Sequence, residues 1–152
     1  MRTIEVLDPI GRRVSVSIPV AQRPSISRGA TFGVICNSKP NADNLLHAVS
    51  RLLQEKHGLV EGYFFEKRYA SGYGHPIPED WSNDLSSGAV AVLAASGDLG
   101  SCTSLSVHDT VLLEKRGIPT VTIVTSAFVE MAKIELSANY IRDVFEAGIA
   151  RM

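Results

Sequence analysis

The chain has 152 residues, 45% of them apolar and 20% charged, with a net charge of −1. That length suits one domain with a single core, and near-neutral, interspersed charge offers neither a basic field for nucleic acid nor a polybasic patch for a membrane. No apolar run approaches the roughly 20 residues that cross a bilayer, the N-terminal MRTIEVLDP is too polar for a secretory signal, and two cysteines, Cys36 and Cys102, make no disulfide framework, so a reducing, cytoplasmic setting is expected.

Thr3 to Leu7 and Val14 to Ile18 alternate apolar and polar residues around Asp8-Pro9-Ile10-Gly11, the pattern of a β-hairpin or a pair of edge strands. Pro19 to Arg28 is a connector. Residues 1–28 are therefore expected as an arm that covers a sheet edge or meets another subunit, and residues 29–152 as one α/β domain. Thr31 to Cys36 reads as the first core strand. The turn-rich Asn37-Ser38-Lys39-Pro40-Asn41 follows, with Asn41 or Asp43 as helix N-cap. Leu45, Leu46, Val49, Leu52 and Leu53 recur at helical spacing, and His57 with Gly58 ends that helix. Val60 to Phe65 reads as the second strand. Ala70 to Pro78 is a glycine- and proline-rich loop in which His75 is a turn residue or a functional group, and Glu79 to Leu85 a short helix with Trp81 on its inner face.

The apolar run Ala89 to Ala95 predicts a buried strand. A small-residue loop, Ser96 to Ser101, delivers Cys102, and a helix carrying Leu105, Leu112 and Leu113 runs to Arg116-Gly117. Thr120 to Val124 is a fourth apolar strand. Helices are expected over Ser126 to Glu135 and Tyr140 to Ala150, the last burying Ile141, Val144 and Phe145. The alternation predicts an α/β fold, a doubly wound (flavodoxin/Rossmann-like) parallel sheet of four strands. In the flavodoxin-like order the first and third strands are neighbours, so Cys36, Lys39 and the loop leading to Cys102 would border one crevice at the switch point.

A cysteine at a helix N-terminus meets unpaired N–H groups and a partial positive charge that favour the thiolate, the nucleophilic form. Gly97 and Gly100 would let backbone approach a ligand closely, while Ser101, Thr103 and Ser104 supply hydroxyl groups. The G-x-x-G spacing is neither a P-loop nor a dinucleotide fingerprint. Asp98 either handles a proton or caps the helix. His108, six residues beyond Cys102 and about 240° around the helix, is a weaker base, although it too is a proton-handling candidate. Lys39, with Asn37 in the same loop, is a substrate anchor or a solvated loop residue. No C-x-x-C or H-x-x-x-H pair exists, so neither metal nor cofactor is expected.

GDLGSCTSLSVHDTVLLEKRGIPTV, together with NSKPNAD at Asn37 to Asp43, Lys67 and Phe128, resembles the UGSC family of selenoproteins and their cysteine homologues, over roughly Gly29 to Lys133. That family in turn resembles the selenoprotein B component of glycine and betaine reductases. The resemblance implies an α/β fold with a nucleophilic or redox-active loop. Cys102 matches the family cysteine, Gly100 and Ser101 its Gly-Ser, and His108-Asp109 the His-Asp that follows. Leu99 occupies the position of the selenocysteine or first cysteine, so the vicinal redox pair is missing. Cys-Thr loops after a strand are also similar to those of the aspartate/glutamate racemase superfamily, but the second, pseudo-symmetric half of that fold has no counterpart here.

Three readings follow. The first is a cysteine-dependent enzyme acting on a small anionic or carbonyl-bearing metabolite, with Cys102 as the thiol. The second is a noncatalytic, UGSC-like binding or regulatory subunit of a heteromeric complex, the partners expected of the chain being a homo- or hetero-oligomer with a paralogous chain. The third is a thiol redox protein using Cys36 with Cys102. None involves nucleic acid or a membrane.

Overall fold

Six apolar-rich residues, Thr31–Cys36, form strand β1, in which every side chain after Thr31 is buried. The computed structural model describes residues 20–72, 74–138 and 149–151. The expected hairpin at Thr3–Leu7 and Val14–Ile18 lies outside them. Helix α1 (Ala42–His57) follows β1, then strand β2 (Val60–Glu66), a single 3-10 turn (Lys67–Tyr69) and helix α2 (Glu79–Gly88). Strand β3 (Val92–Gly97), helix α3 (Gly100–Lys115), strand β4 (Thr120–Val124), a second 3-10 turn (Ser126–Phe128) and helix α4 (Val129–Ala138) complete the alternation before a short strand β5 (Ile149–Arg151).

The strands are all parallel, in the order β2-β1-β3-β4-β5. This is the expected doubly wound order with a fifth strand added at the edge. Residues 140–148 of the last expected helix lie outside the described residues. Its end at Ile149–Ala150 is corrected to strand, because Ile149, Ala150 and Arg151 pair with Thr122, Ile123 and Val124.

Apolar cores flank the sheet on both faces, with a further cluster where Val124 meets Val107 and Val111 of α3 and Ala132 and Leu136 of α4. Phe32, Val34, Cys36, Leu93, Ala95 and Ile123 meet Ala42 and Leu46 of α1 on one face. On the other, Ile35, Val92 and Ala94 meet Leu85 of α2 and Leu113 of α3. Gly33 permits that second contact, since a Cβ there would stand 2.1 Å from Leu85 Cδ2. Trp81 of α2 stacks on Phe65 at 4.6 Å between ring centroids, a contact worth about 0.5–1.5 kcal/mol beyond its buried area.

The third strand is displaced from its expected position. Ala89 caps α2, its N–H donating to Leu85 O at 2.9 Å, so β3 starts at Val92. The strand then runs into Gly97, which pairs with Val124 across a register shift. The loop before α3 therefore shrinks to Asp98 and Leu99. Helix α3 also departs from a simple apolar stripe, because Thr103, Ser106, Asp109, Thr110 and Glu114 are buried on it beside Val107, Val111 and Leu113. Among the described residues no helix is long and apolar enough to cross a membrane.

Candidate functional site

Strands β1 and β3 are adjacent and parallel, and each is followed by a helix, so the N-termini of α1 and α3 open at the same carboxyl edge. The chain leaves β1 toward β2 on one side and β3 toward β4 on the other. This is the switch point at which open α/β sheets bind ligands. A groove of about 720 Å³ lies there. Ser38, Lys39, Pro40 and Asn41 line one wall, with Asp43 and Asn44 from the first turn of α1. Leu99, Ser101 and Cys102 form the opposite wall, and Arg68 closes one side.

The Ser38–Asn41 wall is held in an uncommon backbone shape. Ser38 (φ 62°) and Asn41 (φ 66°) are both left-handed, a region that non-glycine residues seldom adopt and that clusters at functional sites. Asn41 is the N-cap of α1, as expected, but makes no side-chain cap bond. The shape is tied down locally: Arg68 N–H donates to Ser38 Oγ at 3.1 Å and Lys39 N–H to Asn37 Oδ1 at 3.3 Å. The Lys39 ammonium has no ion pair among the described residues, whereas Arg68 sits by Glu66 and lies 4.0 Å from Asp43.

On the opposite wall, the α3 ladder begins with Thr103 N–H donating to Leu99 O at 2.9 Å. The N–H groups of Gly100, Ser101 and Cys102 precede it, in the turn where helix donors lack intrahelical partners. Cys102 is half-buried and reduced.

Of the residues singled out from the sequence, the groove brings together Cys102, Ser101 and Lys39. Gly100 opens α3 outside the groove lining and packs toward Met131, to which a Cβ would come no closer than 3.8 Å. The remaining polar groups turn inward. Asn37 donates to Ser96 O at 2.6 Å, joining the ends of β1 and β3. The Thr103 hydroxyl donates to Leu99 O at 2.8 Å, and Ser104 Oγ donates to Glu135 Oε1 of α4 at 2.7 Å. Gly97 is needed by the protein rather than by a ligand, since a Cβ would stand 2.5 Å from Val124 Cγ1.

Asp98 is half-buried, and its Oδ1 has no hydrogen-bond partner among the described residues. His108 is 50% exposed, outside the groove lining, with Nδ1 4.0 Å from Asp109 Oδ1. His75 is exposed in its loop. Cys36 does not border the groove as the topology had suggested. It is fully buried on the α1 face, and burial pushes its thiol up against the opposing pull of Ser38 N–H, 3.3 Å from its sulfur. A thiol must ionise to attack, which weighs against Cys36 as a partner of Cys102. Both cysteines are free, and among the described residues no three His, Cys, Asp or Glu side chains cluster as a metal site.

Outside the groove lining lie two ion pairs with buried members that composition and periodicity do not reveal. Lys67 Nζ donates to Asp109 Oδ2 at 2.7 Å, with both side chains at most 3% exposed, and Ile77 N–H donates to Asp109 Oδ1 at 3.0 Å. Burial pushes the Asp109 carboxyl up, opposed chiefly by Lys67. Glu114 accepts both guanidinium arms of Arg23 and the N–H groups of Ala21 and Thr120, each at 2.8 Å. The family resemblance had included Lys67 and Asp109 without indicating that they meet.

Fold and site together define a doubly wound α/β protein that presents a thiol and a lysine to one groove at the switch point of its sheet. The model of the UGSC family matches residues 5–141, and the chain belongs to that family. Comparison with the curated proteins and with the solved structures finds no match.

Proposed function

We propose that this UGSC-family chain is a cysteine-dependent enzyme acting on a small anionic or carbonyl-bearing metabolite, with Cys102 as the reactive thiol. The observation that carries the reading is the position of Cys102. It lines the groove from the first turn of α3, opposite Lys39 on the loop before α1. In this reading Lys39 anchors the substrate's negative charge. The N–H groups of Gly100 and Ser101 then receive oxygen charge that develops as the thiolate adds to an electrophilic carbon. Asp98, next to the α3 N-terminus with a buried oxygen that has no protein partner among the described residues, is the proton carrier in this reading. Neither Asp98 nor His108 lines the groove itself, and His108, half exposed and 4.0 Å from Asp109 Oδ1, is the second candidate. Asn37, Thr103 and Ser104 act indirectly, by holding the two walls in place.

The test compares the two cysteines. Iodoacetamide is expected to label Cys102 well over tenfold faster than the fully buried Cys36 under native conditions, read peptide by peptide by mass spectrometry. Small carboxylates should slow only the Cys102 reaction, and Cys102→Ser should abolish turnover in a screen of carbonyl and carboxylate substrates. Equal, slow labelling of both thiols would sink the proposal.

A second reading is a noncatalytic binding or regulatory subunit. It draws on Leu99, an unreactive side chain in the groove wall. Under that reading Cys102→Ser leaves ligand affinity and partner binding intact.

A further inference from the structure

Leu99 stands where helix chemistry disfavours it. It is the N-cap of α3, with extended backbone and no side-chain cap bond. Ser, Thr, Asp or Asn at that position accepts a hydrogen bond from the first helical N–H groups, and leucine cannot. Burial does not compensate, because the side chain is 50% exposed. What it does instead is line the groove, with Pro40 on the facing wall and Cys102 on its own. A large apolar side chain that caps badly and sits in water breaks two local rules at once, and such breaks gather at functional positions.

We infer that Leu99 is a specificity determinant, the apolar wall of the substrate site, and that the groove takes an amphiphilic carboxylate. The carboxylate head lies toward Lys39 and the helix N-termini, and a short aliphatic portion covers Leu99 and Pro40. The inference rests on reading the groove as a small-anion site beside a reactive Cys102, and narrows the substrate class within that reading. A fully polar acid would leave Leu99 wet, whereas each methylene buried against it tightens binding by about fourfold.

The experiment titrates straight-chain carboxylates, acetate to hexanoate at constant ionic strength, against iodoacetamide labelling of Cys102 in the full chain. The half-protecting concentration should fall about fourfold per added methylene over the first few members. Leu99→Met should keep that dependence and Leu99→Ser should flatten it. Leu99→Ser should also melt no lower than wild type, and by about 2–4 °C higher if the serine caps α3.

Protection independent of chain length would overturn the role of Leu99 while leaving the small-anion reading standing. Labelling that no carboxylate slows would overturn both. A chain-length dependence that survives Leu99→Ser, or a variant that melts well below wild type, would show that Leu99 serves something other than selection.

Discussion

Replacing Lys67 by methionine keeps the length of a buried side chain and deletes its charge, leaving Asp109 with the Ile77 N–H as its one hydrogen bond among the described residues and His108 at 4.0 Å. The pair is 2.7 Å apart with side-chain exposures of 1% and 3%, so the carboxylate is out of reach of bulk water. Breaking a buried pair from one side costs about 3–5 kcal/mol, a large part of the roughly 5–15 kcal/mol that stabilises a domain. At this chain length Tm should fall by about 6–20 °C.

The pH course follows from the same carboxyl. Its folded-state value lies above the ordinary one, so the native chain holds a proton where the unfolded chain has already lost it. The associated stability is complete below the ordinary value of about 3.9 and is lost as pH rises through the folded value. Removing Lys67 takes away the chief influence that holds Asp109 down, and widens that window upward. The Lys67→Met deficit should therefore be greatest near neutral pH and shrink as pH is lowered toward 5. Urea unfolding followed by far-UV circular dichroism across this range measures it. A deficit below about 1 kcal/mol at pH 7, or one unchanged at pH 5, would refute the reasoning. The double variant Lys67→Met/Asp109→Leu should lie closer to wild type than the single one, because no charge is left buried alone.

Glu114→Gln should cost about 2–3 kcal/mol in urea unfolding, since one amide cannot accept all the bonds that the carboxylate does. It should also speed tryptic cleavage after Arg28, because Arg23 would lose its bidentate hold on α3. Gly97→Ala should cost about 1–3 kcal/mol by overpacking, its Cβ being forced to 2.5 Å from Val124 Cγ1. Gly100→Ala, whose Cβ would meet only Met131 at 3.8 Å, should be neutral or stabilising by up to about 1 kcal/mol in the same melts.

The architecture was legible because it rests on local rules. Thr31–Cys36 and Thr120–Val124 are apolar runs with few ways to be satisfied other than as buried strands. Leu46, Val49 and Leu53 trace a helix face, and Gly58 ends it with a left-handed φ of 67°. From such elements the alternation of strand and helix leads to a parallel sheet, and from the sheet to a crevice beside Lys39 and Cys102.

What stayed hidden depends on contacts between distant parts of the chain. Only packing decides that the donors of Asn37, Thr103 and Ser104 go to protein partners and not to a ligand. Only packing, likewise, puts Cys36 behind the groove and Arg68 at its side. Lys67 and Asp109 are 42 positions apart and Arg23 and Glu114 are 91 apart, and no periodicity marks such pairs. A charge can enter a low-dielectric interior when its counter-charge arrives there with it, so those positions acquire their meaning from the folded arrangement. Hydrophobic pattern is a property of neighbours along the chain and sets the layers; polar satisfaction is a property of neighbours in space and shapes the site.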